Sequence, residues 1–323
     1  MSNIDWSKLK TLRQSFLEAQ GFLADYWQDE ALLAAYEDTL AQRIAWKWDA
    51  VLDIVRGQLP SAAATIPHLI DWGCGSGIAS RRVMAAGLFP FKRVTLYDRS
   101  ARATQYARRK LLASHPQLDV EAATRITVPP DDFVLIISHV LSELPDAERE
   151  KIVQLGRQAA MVIWVEAGRQ QESRLLSEVR EQWRPTHQIL APCPHQGPCG
   201  MLDRSQEKNW CHFFAPVPRE VFHSAFWREC SRELGFDLRS LPLSYLVTAR
   251  QAKDAVAIVE DGSLLRIIGR SRSYKGHCRW TACETQGILE GDFQKRWSRS
   301  LYDQLALPGL QLLLTHQQLQ DGK

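Results

Sequence analysis

Apolar residues recur at helical spacing through the first part of the chain, at Ala31, Leu32, Ala35, Leu40, Ile44, Trp48, Val51, Leu52 and Val55. Residues 6 to about 60 therefore read as helices that pack one face against the rest of the protein. Pro60 and the Ala-rich 61–65 read as a linker. From residue 68 the pattern changes to short apolar runs alternating with helical periodicity. Strands are expected at 68–71, 93–97, 124–128, 133–137 and 161–165. Helices are expected at about 77–86, from Ser100 to Ser114 with Ser100 as N-cap, and from about 147. Strands separated by helices predict an α/β fold with a doubly wound, mostly parallel sheet. The rhythm breaks after about 190. Residues 191–216 are rich in Pro, Gly, Cys and His, a helix is expected at 218–234, and strands at 241–248, 264–268 and 277–282.

A sheet of this kind binds ligands beyond the carboxyl ends of its strands. The sequence puts Asp71, Asp98, Ser138-His139 and Glu166 at those ends. After the first strand the chain reads Asp71-Trp-Gly73-Cys-Gly75-Ser-Gly77 and enters a helix. Glycine allows tight turns and close approach of a ligand to the backbone, and the helix N-terminus adds free N–H groups. A dinucleotide fingerprint needs a third glycine where Ile78 stands, which argues against nicotinamide and flavin cofactors. The Asp-x-Gly-x-Gly-x-Gly spacing resembles motif I of class I S-adenosylmethionine-dependent methyltransferases. Asp98 supports this cofactor, because a carboxylate is acceptor-only and can take both hydroxyls of a ribose. The resemblance implies that Asp71 faces the methionine end of the cofactor, with Gly73, Gly75, Gly77 and Ser138 lining the site. The Asn/Asp-Pro-Pro-aromatic tetrad of amino-directed methyltransferases is absent after the fourth strand, where the chain reads Ser138-His139-Val140-Leu141. His139 and Glu143 are the ionisable candidates for a general base there. Methyl transfer can also proceed by proximity alone.

Composition adds little until the cysteines are considered. The net charge of +3 is too small to argue for nucleic acid by itself. No run approaches the roughly 20 apolar residues of a membrane span, so no membrane association is expected. The N-terminal stretch lacks an apolar signal core and carries Asp5 and Glu18, so a cytoplasmic, reducing location is expected. In that compartment seven cysteines point to metal or catalysis before disulfides. Cys193, Cys199 and Cys211 lie in the irregular segment, and Cys278 and Cys283 come later. Four thiolates suit zinc or an iron–sulfur cluster, and a metal could supply the order that the segment's pattern lacks.

The runs Ala191-Pro192-Cys193-Pro194-His195, Gly197-Pro198-Cys199, Trp210-Cys211-His212-Phe213, Ser138-His139-Val140-Leu141-Ser142-Glu143-Leu144 and Leu243-Ser244-Tyr245-Leu246 resemble one family. It is the ribosomal small-subunit methyltransferase-like family of bacteria and, as assembly factors, of mitochondria. The resemblance implies a [4Fe-4S] cluster held by Cys193, Cys199, Cys211 and Cys283, with zinc as the alternative. His195 and His212 are expected beside the ligands or facing RNA. It also implies a partner in the small ribosomal subunit or its precursor, and contact with rRNA. A C-terminal excess of basic residues (Arg266, Arg270, Arg272, Lys275, Arg279, Lys295, Arg296 and Arg299 against Glu284, Glu290 and Asp292) suits phosphate contact. The implied function is a methyltransferase-like ribosomal protein, or a non-catalytic assembly factor that keeps the fold. Its expected organisation is a helical extension (1–65), an S-adenosylmethionine-binding α/β domain (66–190), a cysteine-rich insertion returning to the sheet (191–250) and a basic β-rich region supplying the last ligand (251–323).

Overall fold

The computed structural model describes residues 4–18, 25–61, 63–251, 262–307, 309 and 312–320. Residue 62 of the expected linker and residues 252–261 of the expected C-terminal region lie outside them. The chain opens with helices α1 (Trp6–Glu18), α2 (Glu30–Tyr36) and α3 (Gln42–Gln58), the last two joined by a π-helical turn at Glu37–Ala41. It continues β1 (His68–Trp72), α4 (Ile78–Ala86), β2 (Arg93–Tyr97), α5 (Ala101–Ser114), β3 (Asp119–Ala123), β4 (Phe133–Ser138), α6 (Asp146–Gln158) and β5 (Met161–Ala167). Then follow α7 (Gln170–Trp183), β6 (His187–Ala191), β7 (Phe213–Phe214), α8 (Ala225–Leu234) and β8 (Pro242–Arg250). The C-terminal elements are β9 (Leu264–Ile267), β10 (Arg272–Ser273), β11 (His277–Glu284), β12 (Gly287–Gln294), α9 (Arg299–Ala306), β13 (Leu313–Thr315) and α10 (His316–Gln320).

The chain packs as two compact units. Residues 1–165 and 216–241 form one, and 166–215 and 242–323 the other. The four segments read from the sequence describe chain order, and packing redistributes the 191–250 segment between the two units.

In the first unit the strands run β3-β2-β1-β4-β5, all parallel. Leu69, Val94, Leu96, Val134 to Ile137 and Val162 to Trp164 are fully buried, the continuous apolar run of strands covered on both faces. This is the expected doubly wound, mostly parallel α/β architecture. The strand order reverses between β1 and β4, so the ligand crevice of this sheet type opens at their carboxyl ends. Ser100 caps α5 by accepting from the Ala103 N–H. The N-terminal helices build their own core, in which Leu9, Leu12, Trp27, Leu32 and Leu33 pack with Ala103, Tyr106 and Leu234.

Two expectations are corrected here. The strand expected at 124–128 lies at Asp119–Ala123 instead. Parallel pairing with β2 (Val94 beside Val120) selects it over the more β-prone residues that follow. The helix expected at 218–234 begins only at Ala225, where Ser224 accepts from the Trp227 N–H, and a short 3-10 turn covers Arg219–His223.

In the second unit β8 pairs antiparallel with both β6 and β7. A separate antiparallel sheet has the order β10-β11-β9-β13, with β12 on β11. Strand alternation decides which cysteine of β11 faces which way. Cys278, Trp280 and Ala282 enter a core with Leu265, Phe293 and Tyr302. Cys283 packs on a different cluster with Met201 and Ile268.

Candidate functional sites in the two units

The glycine loop is built as a tight crossing between β1 and α4. Gly73, Gly75 and Gly77 all have positive φ, at 74°, 50° and 74°. A side chain at Gly73 would run into Val140, and one at Gly77 into Ala107, so both glycines are required by packing as well as by φ. At Gly75 the space a Cβ would occupy is open. Asp98 fastens this loop. One carboxylate oxygen accepts from the Gly75 N–H at 2.9 Å and the other from the Ser100 N–H at 2.9 Å. Each oxygen keeps a lone pair for a further donor. Burial raises the Asp98 carboxyl above its ordinary range, opposed by those two backbone N–H groups and by Arg99.

Asp71 is 0% exposed. One of its oxygens accepts from the Ser80 hydroxyl of α4, and the other has no hydrogen-bond partner among the described residues. A buried carboxylate oxygen left in this state fits a site that a polar ligand completes. Burial pushes the carboxyl up to about 7, against the Ser80 bond. Between pH 4 and 7 the folded protein thus keeps a proton that the unfolded chain has released. Stability falls as pH rises across that window, by about 1.4 kcal/mol per unit at most, and is lowest above it. Asp71→Asn is expected to raise the melting temperature of the cofactor-free protein at pH 8 and to leave it nearly unchanged at pH 4. An equal shift at both pH values in a thermal melt would refute this.

The end of β4 carries a second cluster. His139 has φ 55°, rare outside glycine and costly unless its surroundings hold it. Its ring is held on both sides. Lys47 Nζ lies 3.0 Å from Nε2, and Ser138 Oγ lies 3.2 Å from Nδ1. With Lys47 donating to Nε2, the ring is neutral with its proton on Nδ1. Trp48 Nε1 also donates to Ser138 Oγ, at 2.9 Å. Glu143 is occupied as well. It accepts from Tyr26 Oη at 3.2 Å and from Arg99 Nη2 at 3.1 Å. Burial raises its carboxyl to about 7, against Arg99 and Tyr26. The first unit thus brings Asp71, the glycine loop and Asp98 together around the loop, while Ser138 and His139 meet Lys47 and Trp48 of α3. Glu166, buried at the end of β5, belongs to the second unit.

In the second unit Cys199, Cys211 and Cys283 share an apolar pocket with Met201, Ile268 and Ile288. Burial raises the Cys211 thiol, and Cys193, Cys199 and Cys283 raise it further. Burial likewise raises Cys199 and Cys283, with Cys193 adding to each. Four sulfurs from distant parts of the chain therefore feel one another's charge. Cys199, Cys211 and Cys283 thus resist ionising by themselves, a cost that a bound cation would reverse. Among the described residues, no three His, Cys, Asp or Glu side chains stand at the spacing that holds a single metal ion. Cys278 and Cys230 are buried elsewhere, and Cys74 is buried inside the glycine loop.

Helix α7 holds the cysteine segment, and its role was not read from the sequence. Arg174 Nη1 donates to the carbonyls of Met201, Gln206 and Asn209 at 3.0–3.2 Å. Glu181 accepts from the Cys199 N–H at 3.0 Å. Arg180, 2% exposed, donates to the His195 carbonyl and lies against Cys193. Arg266 of β9 donates to the Pro192 carbonyl at 2.9 Å. Two buried guanidinium groups beside four thiols suit a site that becomes anionic when its thiols ionise. His195 is 1% exposed, with Nε2 3.3 Å from Cys283 Sγ. His212 is half-buried and stacks on Trp210 at 4.8 Å. Gly200 approaches so closely that a Cβ there would meet Gly287, at the β11–β12 turn, at 2.7 Å.

No curated protein matches the chain. Among solved structures it is similar to a magnesium protoporphyrin IX methyltransferase from Synechocystis PCC 6803 with bound SAM. That likeness has 13% identity, covers 78% of this chain and all of the other, and has a TM-score of 0.40. It is similar to the plantazolicin methyltransferase BpumL at 12% identity, over 76% of this chain and 97% of that one, with a TM-score of 0.40. It is also similar to the 23S rRNA methyltransferase ErmE at 17% identity, over 62% and 67%, with a TM-score of 0.33. Residues 35–304 match the family model described as Mitochondrial small ribosomal subunit Rsm22, a span that includes both the glycine loop and all four cysteines. The chain belongs to that family.

Proposed function

We propose that this protein is an S-adenosylmethionine-binding, methyltransferase-like protein of the small ribosomal subunit that contacts rRNA and carries a four-cysteine [4Fe-4S] cluster. The observation that carries the reading is the convergence of Cys193, Cys199, Cys211 and Cys283, far apart in sequence, in a chain of this family. These thiols would hold the cluster. His195 and Arg180 beside the sulfurs would tune its potential, because hydrogen bonds to cluster sulfurs do so. In the first unit, Asp98 and Gly75 would bind the ribose edge of the cofactor, and Asp71 its methionine end. Bound S-adenosylmethionine supplies an electrophilic methyl group.

The second reading is an assembly factor that binds the same cofactor without transferring its methyl. The engagement of both ionisable candidates favours it, since His139 is tied to Lys47 and Glu143 to Tyr26 and Arg99. One experiment separates the two. Anaerobically purified protein is incubated with methyl-labelled S-adenosylmethionine and naked small-subunit rRNA, subunit precursors or mature subunits, and sedimentation is followed together with label. The protein is expected to co-sediment with precursors at low salt and to be released as salt rises, because Lys and Arg contacts displace counterions. Label in RNA or protein decides for the enzyme, and co-sedimentation without label decides for the assembly factor. The absence of both label and co-sedimentation would refute the proposal.

A further inference from the structure

Lys47 lies on the buried stripe of α3, in register with Val51 and Val55, and is 8% exposed. A lysine is almost never found so deeply buried without a paired role. Its Nζ meets His139 Nε2 at 3.0 Å, and His139 is the residue held at φ 55° just beyond the end of β4. The position relative to the glycine loop follows from the sheet. β1 lies between β2 and β4, with Asp71 beside Ile136 and Trp72 beside Ile137. Val140, next to His139, fills the space against Gly73. A ligand whose ribose is held by Asp98 at the end of β2, and which crosses the loop after β1, places its far end over β4. For S-adenosylmethionine that far end is the amino-acid group.

We infer that Lys47, held in place by His139, is the receptor for the α-carboxylate of the bound cofactor. The inference rests on the reading that the glycine loop holds S-adenosylmethionine. A buried ammonium from α3, held by a neutral imidazole at the end of β4, offers a charge-assisted contact to an anion. It also accounts for the constrained backbone of His139, which turns the ring toward Lys47. Asp71, on the neighbouring strand β1, keeps its unpartnered oxygen for the cofactor's ammonium, so the two charges of the amino acid meet opposite partners. Lys47 in this role is a binding residue, and it selects ligands that carry a carboxylate.

The test is calorimetric binding of S-adenosylmethionine and of decarboxylated S-adenosylmethionine, which keeps the sulfonium and the amine. Wild type is expected to prefer the carboxylate-bearing ligand by about 10- to 100-fold, the range for a hydrogen bond to a charged group. Lys47→Met is expected to abolish that preference by weakening only the carboxylate-bearing ligand, and Lys47→Arg to retain part of it. Circular dichroism melts verify that each variant is folded. If Lys47→Met weakened both ligands equally or kept the wild-type preference, or if wild type bound the two ligands alike, Lys47 would not be the receptor. If wild type bound neither ligand, the cofactor reading itself would fall, and the inference with it.

Discussion

Replacing Asp98 with alanine is expected to abolish S-adenosylmethionine binding, with affinity falling at least ~100-fold. Two losses combine in this one change. The carboxylate that would accept the ribose hydroxyls is removed, and the Gly75 and Ser100 N–H groups lose their acceptor. A buried N–H left without a partner costs about 1–3 kcal/mol, and in the glycine loop that cost loosens the surface on which the cofactor would lie. Asp98→Asn separates the two contributions. It keeps the shape and one acceptor oxygen, but turns its amide donors toward either the Gly75 or the Ser100 N–H. Its affinity is expected to fall about tenfold or more, again within the cost of one unmatched hydrogen bond. Isothermal calorimetry reads both variants. Unchanged affinity in Asp98→Ala would remove this residue from the site.

The contrast between what the sequence shows and what it conceals is physical. The β1–loop–α4 crossing was legible because its signals are local: an apolar run, three glycines that the observed φ values require, and a following helix. The Ser100 cap was legible for the same reason. Strand β3 was misplaced because Asp119-Val-Glu-Ala-Ala has weak strand propensity by itself, and its pairing with β2 is a long-range contact. Arg174, Arg180 and Glu181 lie in a stretch to which the sequence pattern assigned no element. Their carbonyl and N–H partners lie up to 35 positions away, in a segment without periodicity. Lys47 carries a local signal in the sequence. It stands four and eight residues before Val51 and Val55, on the apolar stripe itself, where a charge needs an explanation. The choice of Cys283 over Cys278 came from resemblance. The structure adds a reason that spacing could not supply, since residues five apart on β11 point to opposite faces.

Loss of the proposed cluster is the other large expected effect. The segment between β6 and β7 contains only short 3-10 turns. The α7 clamp and Arg266 hold it, and the proposed cluster would join its thiols. Binding free energy at such a site is also folding free energy. Cys199→Ser or Cys283→Ala is therefore expected to lower the melting temperature of anaerobically prepared protein by ~10 °C, since a unit of this size shifts by roughly 2–4 °C per kcal/mol. Cys278→Ala is the control. It disturbs the core of the antiparallel sheet without touching the four-thiol pocket, so it is expected to cost stability and leave the metal in place. The most direct measurement is the iron, acid-labile sulfide and zinc content of the full chain purified without oxygen. About four irons and four sulfides per chain are expected, with brown colour, lost in Cys283→Ala and retained in Cys278→Ala. A colourless wild-type protein carrying zinc, or no metal at all, would contradict the cluster.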